Sequence, residues 1–275
     1  MYSQPSTLSD ALQVLEQFAP CVVAGGTDIY PSMQNGRQPQ TFLDVTRIRG
    51  FSDVLVTADS VRFGGAVTWT DVIKADLPPA FDALKQAAAE VGSVQIQNAG
   101  TIAGNLCNAS PAADGVPPLL ALDASVELQS AARGVRALPL GTFIKGVRQT
   151  AIAKDELVTA VTVPLPKAGV TSAFEKLGSR RYLVISIAMT AANILLDKSG
   201  RVEKACLAVG SCSAVAQRLT ALEADLVGSD PRKVDIKAEH LAPLAPIDDV
   251  RGTGGYRLAA AEQQIRRAIL RAVEA

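Results

Sequence analysis

Leucines at positions 8, 12 and 15 recur at helical spacing, and Thr7 with Asp10 three residues on reads as the cap that starts the helix. Cys21-Val22-Val23-Ala24 follows as a short, wholly apolar run, the pattern of a buried strand, and ends abruptly at Gly25-Gly26-Thr27-Asp28. Thr41–Val45 predicts another strand, so residues 1–50 read as a small α/β unit. Strand patterns return at Val54–Val56 and Val61–Phe63, ahead of Gly64-Gly65. From Pro79 to Val91 the chain is alanine-rich, with Phe81, Leu84, Ala88 and Val91 on one helical face.

A glycine-containing loop is predicted from Ala99 to Asp114, then strands over Ser125–Gln129, Leu138–Leu140 and Leu157–Val163. The run from Pro164 to Gly169 disfavours helix and sheet alike and sets a domain boundary. One domain is expected over residues 1–168, divided near residue 55, and a second over 169–275. Within the second, Ser172–Leu177 and Ile185–Leu196 predict strands. The turn sequence Asp197–Gly200 joins the latter to Val202–Val209 as a hairpin. Helix is predicted from Ala214 to Val227, and an apolar stripe at Leu258, Ile265 and Ile269 marks a closing helix.

Composition narrows the function. The 275 residues are 48% apolar and 20% charged, as expected of a soluble globular chain of about two domains. Twenty-seven basic residues balance 27 acidic ones, which weighs against nucleic-acid binding. No apolar run reaches the roughly 18 residues of a membrane span. The N-terminus lacks the pattern of a secretory signal, so a cytoplasmic protein is expected. Cys21, Cys107, Cys206 and Cys212 are scattered, which argues against a disulfide scaffold and against an iron–sulfur cluster on this chain. A single histidine, His240, disfavours a histidine metal site or a serine–histidine pair. No metal site is expected.

Two segments carry candidate chemistry. In Ala24-Gly25-Gly26-Thr27-Asp28 a buried strand empties into paired glycines, exposing backbone amides that suit a pyrophosphate. A plain tight turn is the alternative, and the G-x-G-x-x-G fingerprint is absent. The second segment, Thr101-Ile102-Ala103-Gly104-Asn105-Leu106-Cys107-Asn108-Ala109-Ser110-Pro111-Ala112-Ala113-Asp114, is dense in small and hydrogen-bonding residues within hydrophobic surroundings. Such a loop inside a compact domain is more often functional than idle. Together the two segments can clamp a dinucleotide from both sides.

This pair of motifs resembles the FAD-binding subunits of the molybdenum hydroxylases, the family of xanthine dehydrogenase and carbon monoxide dehydrogenase medium subunits. The family pattern is A-G-G-T-D-L followed by T-I-G-G-N-I-x-N-A-S-P-A-A-D; here Ile29, Ala103 and Leu106 replace its leucine, glycine and isoleucine. Phe174–Arg181 resembles the family's lysine-bearing strand and arginine pair, and Gly255-Tyr256-Arg257-Leu258 its terminal Tyr-Arg helix. The resemblance implies an α+β fold. A two-subdomain FAD-binding domain of the vanillyl-alcohol-oxidase-like type precedes a C-terminal domain with a three-stranded antiparallel sheet and helices.

It also implies residue roles. Val23, Ala24, Gly25, Gly26, Thr27, Asp28 and Ile29 would wrap the pyrophosphate and ribityl chain of a non-covalently bound FAD. Thr101, Ala103, Gly104 and Asn105 would do so from the other side. Asp114 would hydrogen-bond the flavin nucleotide with Lys176 beside it. Asp114 also suits a cap for the segment after it, and Lys176 a solvated strand position. No catalytic side chain is assigned. The implied partners are an iron–sulfur small subunit and a molybdopterin large subunit, two copies of each heterotrimer, with NAD, dioxygen or a quinone as final acceptor. Molybdopterin and the clusters belong to the partners. The apolar C-terminal helix suits burial against them.

The chain departs from the family at Val184, where an acid followed by Ile-Ala is frequent. Arg180 and Arg181 either bind a nicotinamide nucleotide or face solvent. Cys107 reads as a small buried thiol filling a gap rather than a redox group. His240, in a polar stretch, reads as a surface histidine rather than a covalent flavin anchor. A stand-alone flavin oxidase and a flavin-free assembly module are the competing readings.

Overall fold

The computed structural model describes residues 1–33, 39–181 and 183–274. Parallel strands β1 (Tyr2–Ser3), β2 (Cys21–Val23) and β3 (Phe42–Asp44) form a small sheet with β3 in the middle. Helix α1 (Leu8–Phe18) begins as its sequence predicts, with Thr7 Oγ1 accepting the Asp10 amide, and buries Ala11, Leu12 and Leu15 against Leu43, Val45 and Phe51. Where β2 ends, the short helix α2 (Ile29–Met33) starts.

An antiparallel five-stranded sheet makes up the next unit. It comprises β4 (Val54–Val56), β5 (Ser60–Gly64), β6 (Ser125–Ser130), β7 (Gly134–Pro139) and β10 (Leu157–Pro164), in the order β4-β5-β10-β6-β7. The hairpin β8 (Ile144–Gly146) and β9 (Gln149–Thr150) stands apart. Strand β6 shows period-two alternation, turning Val126, Leu128 and Ser130 inward. Helices α3 (Trp69–Lys74), α4 (Asp82–Glu90), α5 (Val94–Ala99), α6 (Ile102–Asn108), α7 (Val116–Ala121) and α8 (Leu140–Phe143) belong to this unit. Their apolar faces meet the sheet in a core that contains Phe63, Trp69, Phe81, Ile102, Leu119 and Phe143.

Strands β11 (Thr171–Leu177), β12 (Ala188–Leu196) and β13 (Val202–Gly210) are long and antiparallel, and the two-residue β14 (Gln217–Arg218) extends their edge. Phe174, Met189, Ala191 and Cys206 join the core of the five-stranded unit. The opposite face packs on α9 (Thr220–Leu226) and α11 (Gly254–Glu274), with α10 (Ala238–Leu241) between them in sequence. Eight of the nine residues of β12 are therefore buried, covered from both sides.

Several expectations are corrected. The stretch from Thr101 is not a loop but α6, because Thr101 Oγ1 caps the Gly104 amide and Ala109, at φ +45°, closes the other end. Strand β12 starts at Ala188 rather than Ile185; Leu183 adopts φ +53° and Ser186 turns to other partners. The helix expected from Ala214 begins at Thr220, since Gln217 and Arg218 pair with Val209 and Ala208. The apolar stripe of α11 is not a partner surface: Ala261, Ile265, Ala268, Ile269 and Ala272 lie in the core. Tyr182, in the run that follows the arginine pair, lies outside the described residues.

The inward placement of the α11 stripe has a measurable consequence. Ile269→Ala should cost the isolated chain ~2–5 kcal/mol, the usual loss for a large-to-small change in a packed core. Arg267→Ala on the exposed side of the helix should stay within about 0.5 kcal/mol. Urea unfolding of the two variants checks this; equal stabilities would return the stripe to a partner interface.

Candidate functional site

Gly25 sets the geometry where β2 ends. A Cβ there would lie 1.7 Å from the Ala99 carbonyl oxygen, so the first glycine loop is pressed onto the backbone that leads into α6. Gly26 has φ +69°, and a side chain on it would meet the Tyr30 ring at 2.2 Å. Only glycine takes up both constraints without strain. The two segments singled out in the sequence thus touch through backbone and open a cleft of about 520 Å³ beside their contact.

Ala24, Gly25, Gly26, Thr27, Asp28 and Ile29 line this cleft from one side. Thr101, Ala103, Gly104 and Asn105 line it from the other, with Asp114 at its wall. Val23 is buried in β2 beneath the loop and does not line it. A further tie crosses the opening: Asn108 Nδ2 donates to Asp28 Oδ1 at 2.8 Å, and Asn108 Oδ1 accepts from the Arg148 guanidinium in the β8–β9 turn. Sequence reasoning missed that arginine, which lies about 40 residues from the motif it serves.

Asp114 is only 8% exposed. Its Oδ2 accepts from Lys176 Nζ at 2.7 Å and its Oδ1 from Ser186 Oγ at 2.5 Å. Burial raises the Asp114 carboxyl above its usual range, while Lys176 and Ser186 pull it back part of the way. Lys176 is neither a solvated strand lysine nor a residue of the cleft lining. Its side chain is 7% exposed, and its ammonium also donates to the Glu90 carbonyl at 3.0 Å. The structure therefore brings Asp114 and Lys176 together but leaves only Asp114 facing the cleft.

The charged groups of the cleft are Asp28, Asp114 and Glu156; among the described residues no lysine or arginine lines it. Arg136 holds Glu156 through both carboxylate oxygens, at 2.6 and 2.7 Å, and keeps its carboxyl below the usual range despite burial. Anionic groups of a ligand must then be met by amides and hydroxyls, as strand-to-helix loops allow. Asn105 adds an acceptor, since no donor among the described residues reaches its buried Oδ1. A polyhydroxylated chain that carries a pyrophosphate fits this donor and acceptor set.

Two residues differ from expectation. Cys107 is exposed on the cleft lining rather than filling a buried gap. His240 is not on the surface: it is 1% exposed, its Nδ1 accepts the Lys237 amide and its Nε2 lies 3.1 Å from Asp225. It caps α10 and takes no part in the cleft lining. Arg180 and Arg181 are exposed, the former donating to the Leu183 carbonyl. Val184 packs over Gly178, where a Cβ would come within 2.4 Å of it.

Residues 1–166 match the family described as FAD binding domain in molybdopterin dehydrogenase, and residues 172–272 that described as CO dehydrogenase flavoprotein C-terminal domain. The nicotinate dehydrogenase FAD-subunit of Eubacterium barkeri is 34% identical over 71% of this chain and 69% of its own length. The nicotine 6-hydroxylase medium subunit of Paenarthrobacter nicotinovorans is 28% identical over 98% of this chain and 96% of its own. In the solved carbon monoxide dehydrogenase from Hydrogenophaga pseudoflava, one chain superposes with a TM-score of 0.88 at 26% identity, covering 99% of this chain and 96% of that one. The glycine loop, the capped α6 and the C-terminal sheet are thus assembled as a known flavoprotein architecture, and the chain belongs to the family of FAD-binding subunits of molybdopterin dehydrogenases.

Proposed function

We propose that this chain is the FAD-carrying electron-transfer subunit of a molybdenum hydroxylase complex. It receives electrons from iron–sulfur clusters of a small subunit and passes them to NAD or another acceptor, while a large molybdopterin subunit oxidises the substrate. The observation that supports this reading best is the cleft itself. Two small-residue segments converge there on backbone contact, with no cationic side chain on the lining among the described residues, and leave amides and Asn105 for a dinucleotide.

Ala24 to Ile29 would hold the pyrophosphate and ribityl chain from one side, and Thr101, Ala103, Gly104 and Asn105 from the other. Asp114 would accept a hydrogen bond from the flavin nucleotide, with Lys176 acting through it. Bound FAD supplies the redox chemistry, and the protein supplies orientation and electrostatics. Residues 1–168 form the FAD-binding part of this assignment and 169–275 the C-terminal part. The partners would assemble as a dimer of heterotrimers. A reducing cytoplasm suits four cysteines that are all free, and no described helix is long and apolar enough to cross a membrane.

A self-sufficient oxidase is less well supported. It needs a proton acceptor for the substrate, but Asp114 and Glu156 are taken up by Lys176 and Arg136, Asp28 by Asn108, and His240 lies elsewhere. The assembly-module reading leaves the purpose of a built cleft unexplained.

Three outcomes test the proposal. Gly26→Val should abolish FAD uptake while circular dichroism stays native, because the new side chain meets Tyr30 at a φ disfavoured for branched residues. Full flavin occupancy would remove the loop from the site. Asp114→Asn, which keeps the shape and removes the charge, should weaken FAD binding by ~1–3 kcal/mol in a titration of apo-protein. An unchanged affinity would take Asp114 out of the site. Finally, the isolated chain should bind FAD yet reduce it with no alcohol, aldehyde or heterocycle. Flavin bleaching by substrate should appear only when the iron–sulfur and molybdopterin subunits are added, and bleaching by substrate with this chain alone would favour the oxidase.

A further inference from the structure

The Ser186 hydroxyl is buried at 2% exposure with the Asp114 carboxylate as its partner. The backbone of the next residue is held from both sides. The Ile187 amide donates to the Leu177 carbonyl at 2.7 Å, and the Ile187 carbonyl accepts from Arg257 Nη1 at 2.6 Å. Arg257 is itself buried and paired with Asp249. Ser186 is thus fixed between the end of β11 and the start of α11, and its hydroxyl has little freedom to leave Asp114.

We propose that Ser186 is a positioning residue for the flavin site: its hydroxyl and the Lys176 ammonium take one oxygen each of the Asp114 carboxylate and fix its remaining lone pairs toward the cleft. The inference rests on the reading of that cleft as the FAD site. Asp114 sits on the cleft wall and must present an acceptor there although burial favours its neutral form. A hydroxyl donating to a carboxylate stabilises the ionised form, as does a facing ammonium. Lys176 reaches Asp114 from β11, and Ser186 from the segment before β12. From α4 only the Glu90 carbonyl approaches, and it binds Lys176 instead. Among the described residues these are the side chains that act on Asp114. Without the hydroxyl, Asp114 takes up a proton at higher pH and its Oδ1 is free to rotate off its aim.

The test is FAD titration of the full apo-chain by flavin fluorescence across a pH series from mildly alkaline to mildly acidic, with circular dichroism to check folding. Ser186→Ala should bind FAD about tenfold more weakly near neutrality, the scale of one hydrogen bond to a charged group. The ratio of its dissociation constant to that of wild type should widen as the pH falls. Ser186→Thr keeps the hydroxyl and should restore the wild-type pH profile. Equal affinities of wild type and Ser186→Ala at every pH would overturn the proposal. So would a loss by one constant factor at all pH values, which reports loosened packing alone. A wild-type chain that takes up no FAD would instead remove the reading of the cleft, and the inference with it.

Discussion

Gly25 resting on the Ala99 carbonyl is the contact on which the site depends. Any side chain at that position would push the first loop off the backbone leading into α6, and the cleft would open into a gap without walls. Because the contact is backbone against backbone, its precision comes from covalent geometry rather than from rotamer choice. Gly26 then turns the chain through a left-handed conformation into α2, and the Asp28–Asn108–Arg148 tie holds the far side. Width and shape of the cleft follow from these few constraints.

The electrostatics of the cleft bear directly on the pyrophosphate proposed to bind there. The cleft presents carboxylates, and the cations that neutralise them sit behind the wall: Lys176 behind Asp114, Arg136 behind Glu156. Each pair is placed so that one charge is desolvated only in the company of the other, the condition under which buried ions are tolerated. In the proposed binding mode, phosphate oxygens would be left to amide dipoles, whose orientation the fold has already set, and the acids would serve as acceptors for hydroxyl and N–H groups.

The C-terminal sheet does more than cover the core. Lys176 on β11 and Ser186 before β12 both reach Asp114, and Arg257 on α11 secures the Ile187 backbone next to Ser186. One wall of the cleft therefore depends on residues from a part of the chain far from either motif. The apolar stripe of α11, spent on the sheet, is part of the same arrangement: it seats the helix from which Arg257 projects.

Much of this was legible in the sequence. Thr7 and Asp10 announced α1, the Cys21–Val23 run its strand, Asp197–Gly200 the hairpin, and the two small-residue motifs marked the cleft and its family; each of these signals is local, carried by residues within a few positions of one another. The helix α6 was hidden because its glycine and asparagines lower helix propensity, although the Thr101 cap was in view. His240 looked like a surface residue because its neighbours in sequence are polar, whereas its burial comes from α9 packed beside it. Period and capping thus determined the elements and the motifs by themselves. Which charge Lys176 meets, that Ser186 holds Asp114, that Arg148 binds Asn108 and that α11 faces inward were decided only by tertiary structure, because each depends on groups brought together from far apart in the chain, and no local pattern encodes that distance.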